Sequence, residues 1–183
     1  MRGDQVVALL ERTADDADAA TGCKQCPLLR DAYSGWGTLN VQKALQVATA
    51  GGAIPPADAF ETNDDAGPWA WKLYGKKGRT LRATLDYWDD QVDVYAIYLR
   101  RGQRLYAHVG GPPHTELALS LWRPGTKTIA GLRADVSRRA AIGQRVGHQQ
   151  RLALTVNEKG TYYLAVKLLT QGAAQYTLAV AKR

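Results

Sequence analysis

Thr80-Leu81-Arg82-Ala83-Thr84-Leu85-Asp86-Tyr87 is the stretch on which the fold turns. Leu81, Ala83, Leu85 and Tyr87 alternate with Thr80, Arg82, Thr84 and Asp86. A period of two is what a strand with one buried face produces. The same period recurs downstream. Tyr95, Ile97 and Leu99 alternate with Val94, Ala96 and Tyr98, and Leu105, Ala107 and Val109 follow the Arg101-Gly102 turn. Leu117, Leu119 and Leu121 alternate with Ala118, Ser120 and Trp122 before a Pro124-Gly125 turn. Leu152, Leu154 and Val156 begin another strand, and Asn157-Glu158-Lys159-Gly160 reads as a hairpin loop into 161–169. A last strand covers 175–181. About eight short strands at this spacing predict an all-β fold, an antiparallel β-sandwich of jelly-roll type. The basic, glycine-containing stretch 132–148 reads as a long loop.

Upstream the period changes. Val6, Leu9, Leu10 and Thr13 recur at helical spacing over 4–17, with Asp4 placed to cap the start. A loop-like stretch, 18–39, follows. Asn40 opens a second helix with Val41, Ala44, Leu45 and Ala48 on one face, and Gly51-Gly52 closes it. Ala53 to Ala59, with Pro55-Pro56, reads as linker. The expected organisation is therefore a helical segment 1–50, a linker 51–59 and a β domain 60–183.

Charge is unevenly spread. Residues 1–56 carry five basic and six acidic groups, and residues 57–93 carry five and eight. Residues 94–183 carry fourteen basic groups against three acidic ones. A basic surface of this kind attracts anionic polymers, but no nucleic-acid-binding motif accompanies it, and no nucleic-acid partner is expected. No apolar run approaches the length of a membrane span, and the N-terminus lacks the apolar core of a signal peptide. Cys23 and Cys26 have the spacing of half a zinc site or of a redox motif. Neither completion is visible, so a small loop disulfide in an oxidising compartment is expected.

Two acidic clusters flank the first strands: Glu61-Thr62-Asn63-Asp64-Asp65, and Asp86-Tyr87-Trp88-Asp89-Asp90-Gln91-Val92-Asp93. Together with Gly160-Thr161-Tyr162-Tyr163-Leu164-Ala165-Val166 and Gln175-Tyr176-Thr177-Leu178-Ala179-Val180, they resemble the pre-peptidase C-terminal domain, a secreted β-sandwich appended to bacterial proteases. A second resemblance lies upstream. Val6-Val7-Ala8-Leu9-Leu10-Glu11-Arg12-Thr13-Ala14-Asp15-Asp16 and Ser34-Gly35-Trp36-Gly37-Thr38-Leu39-Asn40-Val41-Gln42-Lys43-Ala44-Leu45 look like the closing helices of a subtilisin-like serine protease domain.

These resemblances imply the C-terminal part of a secreted bacterial subtilase. The chain would then begin inside a longer protein, with its signal peptide elsewhere. The family's Gly-Thr-Ser nucleophile motif is absent. The histidines His108, His114 and His148 all fall in the β region, and Ser34, Ser120 and Ser137 lack a partner pattern. Hydrolysis needs a nucleophile, base, orienting acid and oxyanion hole together, so no peptidase activity is expected. Helices cut from their parent domain lose their main partner. Val6, Leu9, Leu10, Leu45 and Val47 are expected to be poorly covered unless they dock on the sandwich or pair across a dimer.

The resemblance also carries a calcium site. It implies Glu61, Asn63, Asp64, Asp90 and Asp93 as ligands, with Asp65, Asp86 and Asp89 in reserve, since calcium takes several hard oxygen donors. Two other readings of the same residues stay open: turn building by Asn and Asp side chains, and salt bridges to Arg79, Arg82 or Arg104.

The functional expectation is a non-catalytic accessory module that assists the secretion, folding or targeting of its parent protease. The alternative is a module binding collagen or polysaccharide through a basic, aromatic surface. Trp69, Trp71, Trp88, Trp122, Tyr74, Tyr87, Tyr98 and Tyr106 are its candidate aromatics, and Tyr98 and Trp122 are expected at the surface. Arg2-Gly3-Asp4 spells an integrin-type tripeptide that abuts the first helix, where a cap is the simpler role for Asp4.

Overall fold

The computed structural model describes residues 3–26, 30–51, 58–75, 78–129, 133–146 and 148–183. The chain forms two compact units, Met1–Pro56 and Ala57–Arg183. Most of the expected linker (52–57), Arg2 and the side chain of Asp4 lie outside the described residues.

In the first unit, α1 (Gly3–Thr13) packs on α2 (Val41–Thr49). α1 stops four residues earlier than its periodicity suggests, because Asp15 leaves the helix to pair with Thr38 as an isolated bridge. Asn40 caps α2 by accepting from the Lys43 amide at 2.9 Å. Ala8, Leu9, Thr13 and Ala44 are buried, so Leu9 is covered, contrary to the expectation; Val6 and Leu45 remain exposed. Cys23 and Cys26 are joined in the intervening loop, with Cα atoms 5.4 Å apart. Gly37 sits beside the Asp15–Thr38 bridge at φ 101°, where a Cβ would meet the Asp15 carbonyl oxygen at 2.2 Å. Only glycine fits there.

The second unit is a two-sheet sandwich of ten strands: β1 (Trp71–Lys72), β2 (Gly78–Asp86), β3 (Val92–Leu99), β4 (Arg104–Gly110), β5 (Leu117–Trp122), β6 (Arg139–Ile142), β7 (Gln144–Val146), β8 (Gln149–Thr155), β9 (Gly160–Leu168) and β10 (Ala173–Lys182). The first sheet has the order β1-β3-β9-β5-β6 and the second β2-β10-β4-β8-β7. All pairings are antiparallel except β1 with β3, which is parallel over two residues. The expected sandwich is therefore present, with three short strands, β1, β6 and β7, beyond the seven that the sequence reading placed by residue. β6 and β7 occupy the stretch expected to be a loop. They are basic edge strands of three or four residues, too short to show a period.

The chain changes sheet at almost every connection. Asn157–Gly160 is consequently no hairpin: β8 pairs with β4 and β7, whereas β9 pairs with β3 and β5. The link crosses between sheets, and Gly160 passes so close to Pro124 that a Cβ would sit 2.7 Å from its ring. Alternation marks which face of a strand is buried and is silent about which strand lies beside it.

Inward residues of both sheets form one core, with Leu85, Tyr95, Ile97, Leu105, Leu119, Leu164, Tyr176 and Leu178 almost fully buried. A smaller cluster covers the outer face of the first sheet, where Val94, Ala96, Trp122 and Ala165 pack with Ala70, Ile129 and Ala134. Trp122 is thus 5% exposed rather than a surface residue, and β3 is buried on both faces along most of its length. Tyr98, near the end of β3, is exposed as expected.

Candidate metal centre

The acidic residues meet at one rim of the sandwich. Asp58 anchors the incoming segment: its carboxylate accepts from its own turn at Phe60 and, at 2.7 Å, from the Thr84 amide on β2. Farther along, the Asn63 carbonyl accepts from the Val94 amide at 2.6 Å. The segment carrying Glu61, Asn63 and Asp64 is so held beside the start of β3, which carries Asp93. The turn between β2 and β3 brings Asp90 to the same place, because Asp86 and Asp90 exchange both backbone hydrogen bonds.

Ligand-capable oxygens of Glu61, Asp64 and Asp90 lie within 4.8 Å of one another. Two oxygens bound to one calcium ion at about 2.4 Å can be no more than about 4.8 Å apart, so the triad fits a single ion of that size. Asp93 lies outside this triad but close enough to act on Asp90. It is fully buried, and one of its oxygens is engaged. Oδ2 accepts from the Tyr176 hydroxyl, with the Tyr95 hydroxyl 3.4 Å away and the two tyrosine oxygens 2.6 Å apart. Oδ1 has no partner. Asn63, equally buried, lies beside it and near enough for its amide to oppose the rise of the Asp93 carboxyl, although neither amide atom reaches hydrogen-bond geometry with a partner. Glu61 Oε1 and Asp90 Oδ1 are likewise buried and unpartnered.

Buried polar atoms are nearly always hydrogen-bonded, so four such oxygens on adjoining segments mark a place that expects a ligand. The electrostatics agree. Burial first, then Asp93, Glu61 and Asp64, pushes the Asp90 carboxyl up to about 11. Burial drives Asp93 up to about 8 against the opposing effect of the Tyr176 hydrogen bond, and burial with Glu61 and Asp89 raises Asp64 to about 6. Converging carboxylates hold their protons unless a cation compensates. The charges acting most strongly on Asp64 and Asp90 are all carboxylates, with no arginine among them. Arg104 instead lies over the Tyr106 ring, 5.1 Å from its centre.

The reserve residues do other work. Asp65 accepts from the Ala66 and Ile129 amides and from the Thr128 hydroxyl, tying the loop after β5 to this segment. Asp86 accepts from the Trp88 and Asp89 amides and shapes the turn. Asp89 acts on Asp64 through its charge. The sequence reading missed Tyr95, Tyr176 and Asp58. The two tyrosines fall on the core-facing positions of their strands, and only the pairing of the sheets reveals that they meet a carboxylate.

The expected aromatic face is dispersed. Trp122 is buried, and Tyr87 packs against the core. Trp69, Trp71 and Tyr74 are exposed and border a pocket of about 310 Å³ beside Glu61 and Thr62. Ser34 and Ser137 each donate to an aspartate of their own turn, and Ser120 accepts from the Trp122 indole.

No family model matches the chain, and no curated protein matches it. Among solved structures it is similar to the pre-peptidase C-terminal domain of a collagenase from Bacillus anthracis. That likeness has 20% identity and a TM-score of 0.48, over 70% of this chain and 99% of that one. It is also similar to a periplasmic inhibitor of g-type lysozyme from Aeromonas hydrophila, at 13% identity and a TM-score of 0.48, over 62% and 96% of the two chains.

Proposed function

We propose that the chain is a non-catalytic accessory module of a secreted subtilisin-like protease, with a β-sandwich of pre-peptidase C-terminal type set by calcium. The observation that carries the reading is the group of buried, unpartnered oxygens on Glu61, Asn63, Asp90 and Asp93 beside the Glu61–Asp64–Asp90 triad. Fully hydrated apo carboxylates would not need burial, and buried ones without a cation are costly. Calcium would supply charge neutralisation and join the segment at 61–64 to the start of β3. The ion is structural in this reading, fixing the entry of the chain into the sandwich. Calcium titration by isothermal calorimetry tests it. One site per chain is expected, lost in Asp90→Ala, and a flat titration of the native chain would refute the reading.

The protease context rests on the sequence motifs of residues 6–16 and 34–45 and of the sandwich. The Cys23–Cys26 disulfide supports an oxidising, extracytoplasmic setting. The module would act in cis on the catalytic domain, in secretion, folding or substrate targeting. Deleting residues 60–183 from the parent protein is expected to lower the yield of active secreted enzyme without changing the chemistry of each turnover.

A second reading, binding to an insoluble polymer, is favoured by one observation: Trp69 and Tyr74 are 60% and 74% exposed on a single short segment. Open aromatic rings offer a partner large, rigid contact area. Sedimentation with collagen, chitin and elastin tests it, with Trp69→Ala expected to return the chain to the supernatant.

A further inference from the structure

The second sheet presents an outer face that shares no residue with the metal centre. A groove of about 780 Å³ crosses it, touching β2, β10, β4, β8 and β7 in turn. The register shows a straight row along its length: Thr80 opposite Ala179, Ala179 opposite His108, His108 opposite Arg151, and Arg151 opposite Gln144. Directly paired residues share a face, so this row lies on one side of the sheet. Five strands spaced about 4.8 Å apart make the row about 19 Å long.

The chemistry of the groove is one-sided. His108 and Arg151 line it on the outer row, and among the described residues no aspartate or glutamate does, whereas Arg79 pairs with the core residue Val180 and so stands on the other face of β2. Among the described residues, Arg151 has no acidic partner. The His108 Nε2 is shielded from solvent and has no hydrogen-bond partner. At one end, the guanidinium groups of Arg104 and Arg183 lie 5.1 and 5.6 Å from the centre of the Tyr106 ring. The floor is made of small residues, Ala179, Ala181 and Gly78 among them.

We propose that this groove holds a carboxylated polysaccharide, a chain of uronic-acid units lying across the strands. Charge complementarity requires an anionic occupant, and the arginine fork takes a carboxylate through two parallel hydrogen bonds. A peptide is disfavoured by geometry. Extended peptides bind sheets by adding a strand to an edge, and here the path runs across strands whose backbone groups already bond their neighbours. The alanine and glycine floor offers no side-chain pockets, whereas a flat sugar chain needs none. Thr80 and Gln144 supply hydrogen bonds suited to its hydroxyl groups.

The test is affinity electrophoresis of the full chain in EDTA, which removes any calcium bridge between polymer and metal centre. The gels contain polygalacturonate, neutral dextran or poly-glutamate. Retardation by polygalacturonate alone is expected. Removing one charge-assisted contact weakens binding about tenfold, so Arg151→Ala should do so, while Lys167→Ala on β9 of the other sheet should not. Thermal melts of the variants confirm that they fold. Equal retardation by poly-glutamate would make the occupant an acidic peptide, and retardation by dextran would remove the role of charge. Equal effects of both variants would leave only a diffuse basic surface. Any of these results, or no retardation by polygalacturonate, overturns the proposal.

Discussion

Asp90→Asn should change the sign of its effect on stability with calcium. At pH 7 without the ion, the folded protein keeps the Asp90 carboxyl protonated, because burial and its acidic neighbours raise it from 3.8 to about 11. The unfolded chain releases that proton. The native state therefore binds more protons than the unfolded state, and this difference penalises folding at every pH above 3.8. Each pH unit costs 1.36 kcal/mol, so the penalty at pH 7 is on the order of 4 kcal/mol. Solvent reaching the partly open side chain reduces it to about 1–3 kcal/mol. Asparagine keeps the shape and removes the penalty, so in EDTA the variant should be more stable than the native protein by about that amount.

With saturating calcium the order reverses. The native protein gains RT ln(1 + [L]/Kd), about 4 kcal/mol at a thousandfold excess over Kd, while the variant has lost a charged ligand and gains little. Urea denaturation at pH 7, in EDTA and in calcium, measures both differences. Thermal midpoints should move by about 2–5 °C per kcal/mol for a domain of this size. The reasoning fails if Asp90→Asn is less stable than the native protein in EDTA. It fails equally if calcium leaves the native denaturation curve in place.

Other consequences follow from the same geometry. Without calcium, stability should fall as pH rises from 3.8, where the unfolded chain releases these protons, with the slope easing near 6 and 8 as folded Asp64 and Asp93 release theirs, and calcium should flatten that fall; denaturation midpoints across pH show it. Calcium binding at pH 7 should release protons, so calorimetric enthalpies should vary with the ionisation heat of the buffer. Tyr176→Phe removes the hydroxyl that fixes Asp93 Oδ2 and should weaken calcium binding about tenfold while costing about 1–2 kcal/mol of stability, read by calorimetry and urea denaturation. Gly37→Ala places a methyl against the Asp15 carbonyl and should break the Asp15–Thr38 bridge, with faster amide exchange at Asp15 and Thr38 and none of the calcium response altered.

The sandwich was legible because one face of each long strand is buried, and period-two patterns record burial directly. Leu81, Ala83 and Leu85 on β2, and Leu117, Leu119 and Leu121 on β5, are buried as their alternation demands. What the pattern does not record is adjacency. Asn157–Gly160 has the composition of a hairpin loop, yet it joins strands of different sheets, because the strands beside β9 come from distant parts of the chain. Trp122 shows the other limit. Its position opposite the leucines of β5 predicts exposure, but a loop carrying Ile129 and Ala134 folds over that face. Outer faces of a sheet are polar only where nothing covers them.

The metal centre was half legible for a related reason. Glu61, Asn63 and Asp64 stand close in sequence, and their crowding with Asp90 and Asp93 is visible as acidic clusters around a strand start. The division of labour among the carboxylates is set by backbone geometry that composition does not encode. Asp65 and Asp86 have the same side chain as Asp64 and Asp90. They differ because amides of Ala66 and Ile129, or of Trp88 and Asp89, happen to face them and absorb their charge. Asp90 and Glu61 each retain a buried oxygen without such a donor, and Asp93 retains one after two tyrosines engage the other. A carboxylate satisfied by backbone amides is part of the turn. One buried beside its own kind, with an oxygen left over, depends on something the chain does not supply.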